Sequence, residues 1–304
     1  RRFEAVHSVT PKGGLLSMIA AWAVGIRHRT HIFTGQVWAN RGGAIRLLLK
    51  NMDRLTAYFS TSILADSRSQ VDFLCEEKVC RPGSVRVLGR GSISGVDLER
   101  FSAVPARGLL TRSELGIPED AVVFLFLGRM HHDKGVLELA KAFAHVSQVF
   151  PQAWLLCVGP DESGIASKVS EISGDRCVIV GLTDSPEKYI DSSDVLCLPS
   201  YREGFGTVVI EAAAMGLPAI VSKIYGLTDA IEENVSGLTF PPGDFDGLQA
   251  ALIAMLDPVL RQKMGWAAQK RAEAEFSSEK ISGLWVDYYN TVFGAEVGRS
   301  NPTW

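Results

Sequence analysis

Two glutamates lie eight positions apart in a stretch that is otherwise almost entirely apolar. The stretch reads YREGFGTVVIEAAAMGLPAIVS from Tyr201 on, and Glu211 is the only charged residue between Glu203 and Lys223. A carboxylate in such surroundings needs a hydrogen-bonding partner, because a buried and unpaired charge is costly. We therefore expect both carboxylates to contact a polar ligand. The plainer alternative leaves Glu203 in solvent and pairs Glu211 with a basic residue of the core.

The geometry of a helix places the second glutamate on the same face as a threonine. Thr207 and Glu211 are one turn apart on the helix predicted after EGFG, and apolar residues fill the rest of that helix. Gly204 and Gly206 let the backbone in front of the helix approach a ligand closely. A carboxylate at this position can accept hydrogen bonds from the two hydroxyls of a ribose, and Glu203 would reach another part of the same ligand.

Two cations follow an earlier predicted strand. Arg129 comes at the end of VVFLFLG, and Lys134 opens the next predicted helix together with Gly135. Ligands of open parallel sheets bind at the carboxyl ends of the strands. Free backbone N–H groups at a helix start add to the charges of nearby basic side chains. The pattern predicts a phosphate or diphosphate site, and a solvated loop with two ordinary basic residues is the alternative.

The chain alternates between short apolar strands and amphipathic helices, most clearly from about residue 121 on. Strands that read as continuous Val, Leu and Ile runs are typical of a parallel sheet covered on both faces, so we predict a doubly wound α/β fold. The first half repeats the pattern with only about four strands. We place the domain boundary near residue 104, which gives domains of 1–104 and 105–304. We expect the helical tail from Phe245 to about Phe293 to close the second domain.

The composition, 46% apolar and 21% charged, is ordinary for a globular protein, and 304 residues suffice for two domains. The net charge of −3 hides an asymmetry, because residues 1–60 hold nine Lys/Arg and two Asp/Glu (+7) and the remainder holds 22 and 32 (−10). A basic first segment favours contact with anionic lipid or a phosphorylated substrate, unless it is only a solvated face. We expect no membrane span and no signal peptide. Three of the five cysteines, Cys157, Cys177 and Cys197, are expected as small core side chains in a reducing compartment.

Several motifs together resemble a known family of enzymes. LGRMHHDKGVLELAKAF, EGFGTVVIEA and GLTDAIEENVSGLTFPPGDFDGL are similar to the C-terminal domain of the retaining family 4 glycosyltransferases (glycosyl transferases group 1). VHSVTPKGG, HIFTGQVW and GSISGVDLERF also resemble that family, especially members that extend lipid-linked oligosaccharides for bacterial capsules, O-antigens (lipopolysaccharide) or glycoprotein glycans. The resemblance implies the GT-B architecture, in which two Rossmann-like domains face each other across a cleft. The first domain is expected to be incomplete, because the Gly-rich turn and first strand with which family members begin are absent.

The resemblance also implies roles for the site residues. Arg129 and Lys134 would neutralise the donor diphosphate and stabilise the charge of the leaving group, Glu203 would contact the donor sugar, and Glu211 would hold the ribose. Further donor contacts would come from Gly128, Gly204, Phe205, Gly206 and Thr207. The implied reaction transfers a hexose or N-acetylhexosamine from a nucleotide-sugar donor, a UDP-sugar, to a lipid-linked or polysaccharide acceptor, without a metal or other cofactor and without nucleic acid.

Fewer residues indicate where the acceptor binds. Lys12 lies in TPKGG at a strand-to-helix turn, and Gln36 stands where many family members have a histidine, so no catalytic histidine is carried over. Arg46 and Lys50 are one turn apart on one helix face, together with Arg54. This basic face could rest on an anionic membrane or steer an undecaprenyl-diphosphate-linked acceptor. Alternatively, the apolar side of the helix packs on the domain and the basic side is only solvated. We expect a cytoplasmic protein with peripheral contact at the inner face of the cytoplasmic membrane.

Three other patterns favour plainer roles. The glycines of LGRGSISG imitate a dinucleotide-binding loop, but the third glycine is one residue late and no long helix is predicted after it. Asp244 and Asp246 imitate a metal-binding motif, although their place before a helix favours capping. His131 and His132 are adjacent, which makes joint binding of one metal difficult and favours a solvated or donor-contacting loop.

Two alternatives to glycosyl transfer stay open at this stage. A sugar-nucleotide 2-epimerase of the same architecture would need additional acid and base residues, which the sequence does not identify. A non-catalytic nucleotide-sugar-binding fragment is the alternative from another class, because an incomplete acceptor domain cannot position an attacking hydroxyl.

Overall fold

The computed structural model describes residues 3–297 of the chain. The chain divides into two compact units. Unit 1 comprises the chain up to Gly95 and the segment from Glu275 on, and unit 2 comprises Val96–Ala274. Among the described residues, no helix is both long and apolar enough to cross a membrane.

Unit 1 is built on a parallel sheet of four strands in the order β1-β2-β3-β4. Its first elements are, in chain order, β1 (Ala5–Ser8), α1 (Pro11–Ala23), β2 (His28–Phe33), α2 (Gly43–Phe59), β3 (Ser62–Ala65), α3 (Arg68–Glu76) and β4 (Val85–Arg86). The side chains of Trp38, Phe33 and Leu74 are buried in a core between the sheet and its helices. The four strands match the small number that the sequence predicts.

Unit 2 contains a second parallel sheet, of six strands in the order β10-β9-β8-β5-β6-β7. Its elements are, in chain order, α4 (Pro105–Glu114), β5 (Val122–Leu127), α5 (Val136–Val149), β6 (Ala153–Val158), α6 (Ala166–Ser173), β7 (Cys177–Val180), α7 (Pro186–Asp191), β8 (Val195–Leu198), α8 (Thr207–Ala214), β9 (Ala219–Ser222), α9 (Leu227–Ala230), β10 (Gly237–Phe240), α10 (Phe245–Ala254) and α11 (Pro258–Glu275). The doubly wound α/β pattern predicted from residue 121 on is confirmed.

The central strands of unit 2 are apolar because both of their faces are covered. All six residues of β5 are buried, and Phe124 and Phe126 have no exposed surface. Of the cysteines on neighbouring strands, Cys157 and Cys197 are fully buried and Cys177 is half-buried. None of the three forms a disulfide bond. They act as small core side chains, as the sequence predicts.

The last helix, α12 (Ser278–Val297), returns to unit 1. The hydroxyl of Tyr288 donates to Oγ of Ser62 at 2.7 Å, and its ring packs on Ile32 and Leu64 of the first sheet. The prediction that the tail to Phe293 closes the second domain is therefore wrong for this helix, although α10 and α11 do belong to unit 2.

The division between the units also differs from the predicted boundary near residue 104. Residues 96–104 belong to unit 2 because their side chains are fastened there. Phe101 is buried, and Arg100 pairs with Glu187 at 3.1 Å. The segment after residue 104 forms α4, where a Cβ on Gly108 would lie 2.3 Å from the carbonyl oxygen of Asp191.

Candidate donor site

The order of strands in unit 2 creates a crevice at the carboxyl ends of β5 and β8. The chain runs from β5 outward to β6 and β7, then crosses back to place β8 on the other side of β5. At such a switch point the two connections leave in opposite directions, and ligands of doubly wound sheets bind there. The loop carrying Arg129 and Lys134 follows β5, and the loop carrying Glu203 follows β8. The sequence motifs therefore lie at the expected position in the sheet.

The structure brings Lys134 and Glu203 together. Nζ of Lys134 lies 2.5 Å from Oε1 of Glu203, and the hydroxyl of Ser200 donates to the same oxygen at 2.9 Å. The two ionic side chains are 16% and 13% exposed, so solvent screens the pair only partly. An ammonium group has three N–H donors, so two donors of Lys134 stay available for a phosphate oxygen.

A glycine allows the two loops to approach so closely. Gly135 follows a 3-10 turn, His132–Lys134, and has a φ of +68°. A Cβ at this position would lie 2.1 Å from the carbonyl oxygen of Pro199, so no other residue fits without a backbone shift. The backbone N–H of Tyr201 also donates to the carbonyl oxygen of Asp133 at 2.8 Å, which fixes the two loops to each other.

The EGFG loop presents the start of α8 to the same edge. The side chain of Phe205 is 2% exposed and anchors the loop in the core, so only its backbone can serve a ligand. Gly226 must be glycine here, because its φ is +85° and a Cβ would lie 2.2 Å from the carbonyl oxygen of Gly204. Helix α8 begins at Thr207, and the N-cap residue, Gly206, has no side chain that could cap the helix. The first N–H groups of α8 therefore suit an anion.

Glu211 lies one turn further along α8, half-buried and without a fixed partner. Among the described residues, none donates a hydrogen bond to its carboxylate or forms an ion pair with it. Burial raises the pKa of Glu211; Arg100 opposes this shift and Glu187 adds to it. The alternative that pairs Glu211 with a core Arg or Lys is therefore wrong, because Arg100 bonds to Glu187 instead. A sheltered carboxylate without a partner is suited to ligand hydroxyls.

Arg129 is directed elsewhere in this structure. Its side chain is 51% exposed, and Nη1 lies 2.5 Å from Oε2 of Glu162, in the loop after β6. The structure does not join Arg129 to the Lys134–Glu203 pair. Sequence reasoning missed Glu162 and Ser200, although both follow strands of the same sheet and the rule that singled out Arg129 applies to them equally.

The predicted acceptor residues of unit 1 have different surroundings. Lys12 is exposed in the first turn of α1, whereas Gln36 is 1% exposed and its Oε1 accepts from Gln70 at 3.4 Å. Arg46 and Lys50 both bind the carboxylate of Glu77, at 2.7 and 2.5 Å. Arg46 and Lys50 are thus paired within unit 1 and not merely solvated, whereas Leu49 of the same helix does pack on the core, as the plainer alternative expects.

Two buried ionisable groups in unit 1 were not singled out by the sequence. Nδ1 of His31 lies 2.8 Å from the hydroxyl of Ser8, and burial lowers the pKa of His31 to about 4. Asp66 directly follows β3, and burial raises the pKa of its carboxyl to about 7, although the backbone N–H of Ile93 opposes this. The signal that could have found Asp66 is its place at a strand end.

The three plainer interpretations agree with the structure. Asp244 is the N-cap of α10, and its Oδ1 accepts from the N–H of Gly247 at 3.0 Å. No helix begins between LGRGSISG and Pro105, unlike in a dinucleotide-binding unit. His131 caps the 3-10 turn, because its Nδ1 accepts from the N–H of Asp133 at 3.1 Å.

Similar proteins are found by sequence and by structure. The model of the family "Glycosyl transferases group 1" matches residues 110–271, just over half of the chain. The capsular polysaccharide biosynthesis glycosyltransferase CapM of Staphylococcus aureus is 27% identical over 299 residues, which cover 97% of this chain and 78% of CapM. The UDP-Gal:alpha-D-GlcNAc-diphosphoundecaprenol alpha-1,3-galactosyltransferase of Escherichia coli is 25% identical and covers 94% of this chain and 76% of the relative.

A solved structure shows the same fold. Anabaena HepE, crystallised in complex with UDP, superimposes with a TM-score of 0.82 at 19% identity, over 95% of this chain and 79% of HepE. The predicted α/β fold of the GT-B class, with two parallel sheets, is confirmed. Since the family model spans more than half of the chain and the relatives are glycosyltransferases, the chain belongs to the glycosyl transferases group 1 family and is a glycosyltransferase.

Proposed function

We propose that the enzyme transfers a hexose or N-acetylhexosamine, with retention of configuration, from a UDP-sugar to a lipid-linked glycan in the synthesis of a bacterial surface polysaccharide. The observation that carries the proposal is the Lys134–Glu203 pair at the switch point of unit 2, together with a half-buried Glu211 on α8 that has no hydrogen-bond or ion-pair partner among the described residues. The names of two relatives support it, because they specify capsular polysaccharide biosynthesis, a UDP-galactose donor and a diphosphoundecaprenol acceptor.

Each side chain has a distinct proposed role in donor binding. The carboxylate of Glu211 accepts hydrogen bonds from the ribose hydroxyls. The diphosphate is bound by Lys134 and by the backbone N–H groups of Gly206 and Thr207 at the start of α8. Arg129 exchanges its contact with Glu162 for a phosphate oxygen, which its exposed position permits. The free oxygen of Glu203 faces a hydroxyl of the sugar.

The chemistry follows from where charge develops. The bond between the anomeric carbon and the phosphate oxygen breaks, and the electron pair leaves with UDP. The acceptor hydroxyl attacks from the same face, and its proton passes to the departing phosphate oxygen. Lys134 and Arg129 stabilise the growing negative charge in a partly shielded site, where such interactions are stronger than in water. In this proposal the protein's own cations neutralise the diphosphate, and no metal is assigned.

On the acceptor side we propose only one direct contact. Lys12 is exposed at the start of α1, where it can reach an acceptor phosphate together with nearby N–H groups. We assign no direct contact to Gln36, which is buried, or to Arg46 and Lys50, which Glu77 engages. A lipid-linked acceptor places the enzyme at the cytoplasmic face of the membrane, as a peripheral protein.

The test is calorimetric titration of the chain with UDP, uridine, GDP and ADP. We expect UDP to bind more tightly than uridine and than the purine nucleotides, and Glu211→Ala to weaken UDP binding by about tenfold or more. Glu171→Ala is the matched control, since Glu171 is exposed on α6 of the same unit. Equal binding of UDP and uridine, or unchanged UDP binding in Glu211→Ala, would contradict the donor site.

A further inference from the structure

We propose that the outward faces of α1 and α2 form a surface that inserts into the headgroup region of an anionic membrane. This inference rests on the proposed use of a lipid-linked acceptor, and names the part of the protein that holds it at the bilayer. The surface consists of large apolar side chains that are 46% to 80% exposed: Leu16, Trp22, Val24, Ile45, Leu47, Leu48, Leu55 and Tyr58. We call it the apolar helix face.

Helix α2 exposes a stripe of large apolar side chains to solvent. Leu47, Leu48, Leu55 and Tyr58 are 58%, 63%, 46% and 80% exposed, and their spacing places them along one side of the helix. A helix that packs on a globular domain normally buries such a stripe. A contiguous exposed apolar patch of this kind marks an interaction site.

The side of α2 that faces the sheet combines apolar residues, Leu49 and Ala57, with buried polar ones. Asp53 is 6% exposed and accepts a hydrogen bond from Nε1 of Trp38 at 2.7 Å, and Thr56 is 1% exposed. Arg46 and Lys50 turn inward to bind Glu77. These inward bonds fix the rotation of the helix, so the leucines cannot turn toward the core without breaking them. The packing of unit 1 therefore keeps the apolar stripe of α2 on the outside.

The apolar surface continues from α2 onto α1, which packs beside it. On α1 and the residue after it, Leu16, Trp22 and Val24 are 70%, 56% and 69% exposed. The rings of Trp22 and Phe59 lie 5.1 Å apart and join the two helices. Trp and Tyr are the residues enriched at membrane–water interfaces, because their rings are apolar and one polar atom stays hydrated. The mixture of leucines with Trp22 and Tyr58 fits the headgroup boundary of a bilayer.

Basic side chains near the apolar helix face indicate which partner binds there. Residues 1–60 hold nine Lys/Arg and two Asp/Glu, but Arg46 and Lys50 are paired with Glu77 and do not contribute to this surface. Exposed Lys12, Arg27 and Arg41 lie at the ends of α1 and α2. A second copy of the chain would bring like charges together at this face, whereas anionic lipid headgroups attract them. The charge pattern therefore favours lipid over self-association.

The experiment measures binding of the chain to vesicles by sedimentation, with vesicles of phosphatidylcholine and phosphatidylglycerol and vesicles of phosphatidylcholine alone. We expect binding to the anionic vesicles, and a loss of roughly tenfold or more in the double variant Leu47→Gln/Leu48→Gln. Leu109→Gln/Leu110→Gln is the matched control, because these two leucines are 49% and 67% exposed on α4 of unit 2. The control variant should bind like the wild type.

Three results would overturn the inference. The first is absence of wild-type binding to anionic vesicles, and the second is equal binding by the Leu47/Leu48 double variant. The third is a wild-type dimer in light scattering that the double variant abolishes, which would assign the surface to a second copy. Circular dichroism and thermal melting of the double variant check that it is folded, and UDP titration of the wild type tests the donor site separately. Vesicle binding without any UDP binding would contradict the proposed donor site and leave the membrane surface standing.

Discussion

The ammonium group of Lys134 lies 2.5 Å from the carboxylate of Glu203, although the two residues are 69 positions apart in the chain. The pair joins the loops after β5 and β8. An incoming diphosphate offers Lys134 a second anion, and the donor sugar offers Glu203 a hydroxyl donor. The diphosphate and the sugar of the proposed donor thereby contact the two members of one ion pair. A change at either residue should therefore affect both donor binding and sugar transfer.

The first prediction concerns the charge of Lys134. We expect Lys134→Ala to reduce sugar transfer by about 100-fold, because a positive charge next to the leaving phosphate is lost. The variant should also lose most of the preference for UDP over uridine. Lys168→Ala is the control, since Lys168 is exposed on α6. An unchanged ratio of UDP to uridine affinity in Lys134→Ala would remove Lys134 from the diphosphate site.

The second prediction concerns the contact between the two loops. In Gly135→Ala the new Cβ overlaps the carbonyl oxygen of Pro199, so we expect unit 2 to lose about 3 kcal/mol of unfolding free energy and transfer activity to fall. Gly116→Ala is a closely matched control, because Gly116 has the same φ of +68° and no atom within 4 Å of its Cβ position. That variant should lose only about 1 kcal/mol, from the left-handed backbone. Chemical unfolding of both variants measures the difference, and equal losses would disprove the steric explanation.

The third prediction concerns the raised pKa of Glu211. At neutral pH its half-buried carboxylate is charged at a cost, so Glu211→Gln should raise the unfolding free energy of the protein measured without UDP. The gain should vanish as the pH falls through the raised pKa, because the wild-type side chain then becomes neutral too. UDP binding by the wild type should weaken over the same range, since a protonated carboxyl accepts fewer hydrogen bonds. Melting temperatures and UDP titrations at several pH values test this, and a Glu211→Gln variant less stable than the wild type at pH 7 would refute it.

Much of unit 2 was predictable because its signals are local. A run such as VVFLFL, within an alternation of strands and helices, is typical of a covered parallel strand. The carboxyl ends of such strands bind ligands, so the nearness of Lys134 and Glu203 could be expected without knowledge of contacts. The partner of Arg129 did not follow. Glu162 belongs to a third loop, and nothing in the local sequence indicates which of two neighbouring anions an exposed arginine binds.

The features of unit 1 that the sequence did not predict depend on distant residues. The apolar and basic sides of α2 are both visible in the sequence, but Glu77 and Trp38 decide which side faces the sheet. The return of α12 likewise depends on the fit of Tyr288 against Ser62, more than 200 residues earlier. Helical periodicity shows that a face is apolar, and does not show which sheet covers it.

The fourth prediction concerns Asp66, whose pKa is raised to about 7 from an ordinary value of 3.8. Between about pH 4 and pH 7 the folded state keeps the proton of Asp66, whereas the unfolded chain has released it. The contribution of Asp66 to stability should therefore be greatest below about pH 4 and should fall as the pH rises to about 7. The unfolding free energy should differ by about 4 kcal/mol at most between these two pH values, from the size of the pKa shift of Asp66. Asp66→Asn keeps an acceptor for the N–H of Ile93 and should remove this contribution. Hydrogen exchange of residues 62–76 at pH 5 and pH 8 measures it locally. We expect the variant to be better protected than the wild type at pH 8, and by a clearly smaller margin at pH 5, and equal protection at pH 8 would show that the buried carboxyl is not destabilising.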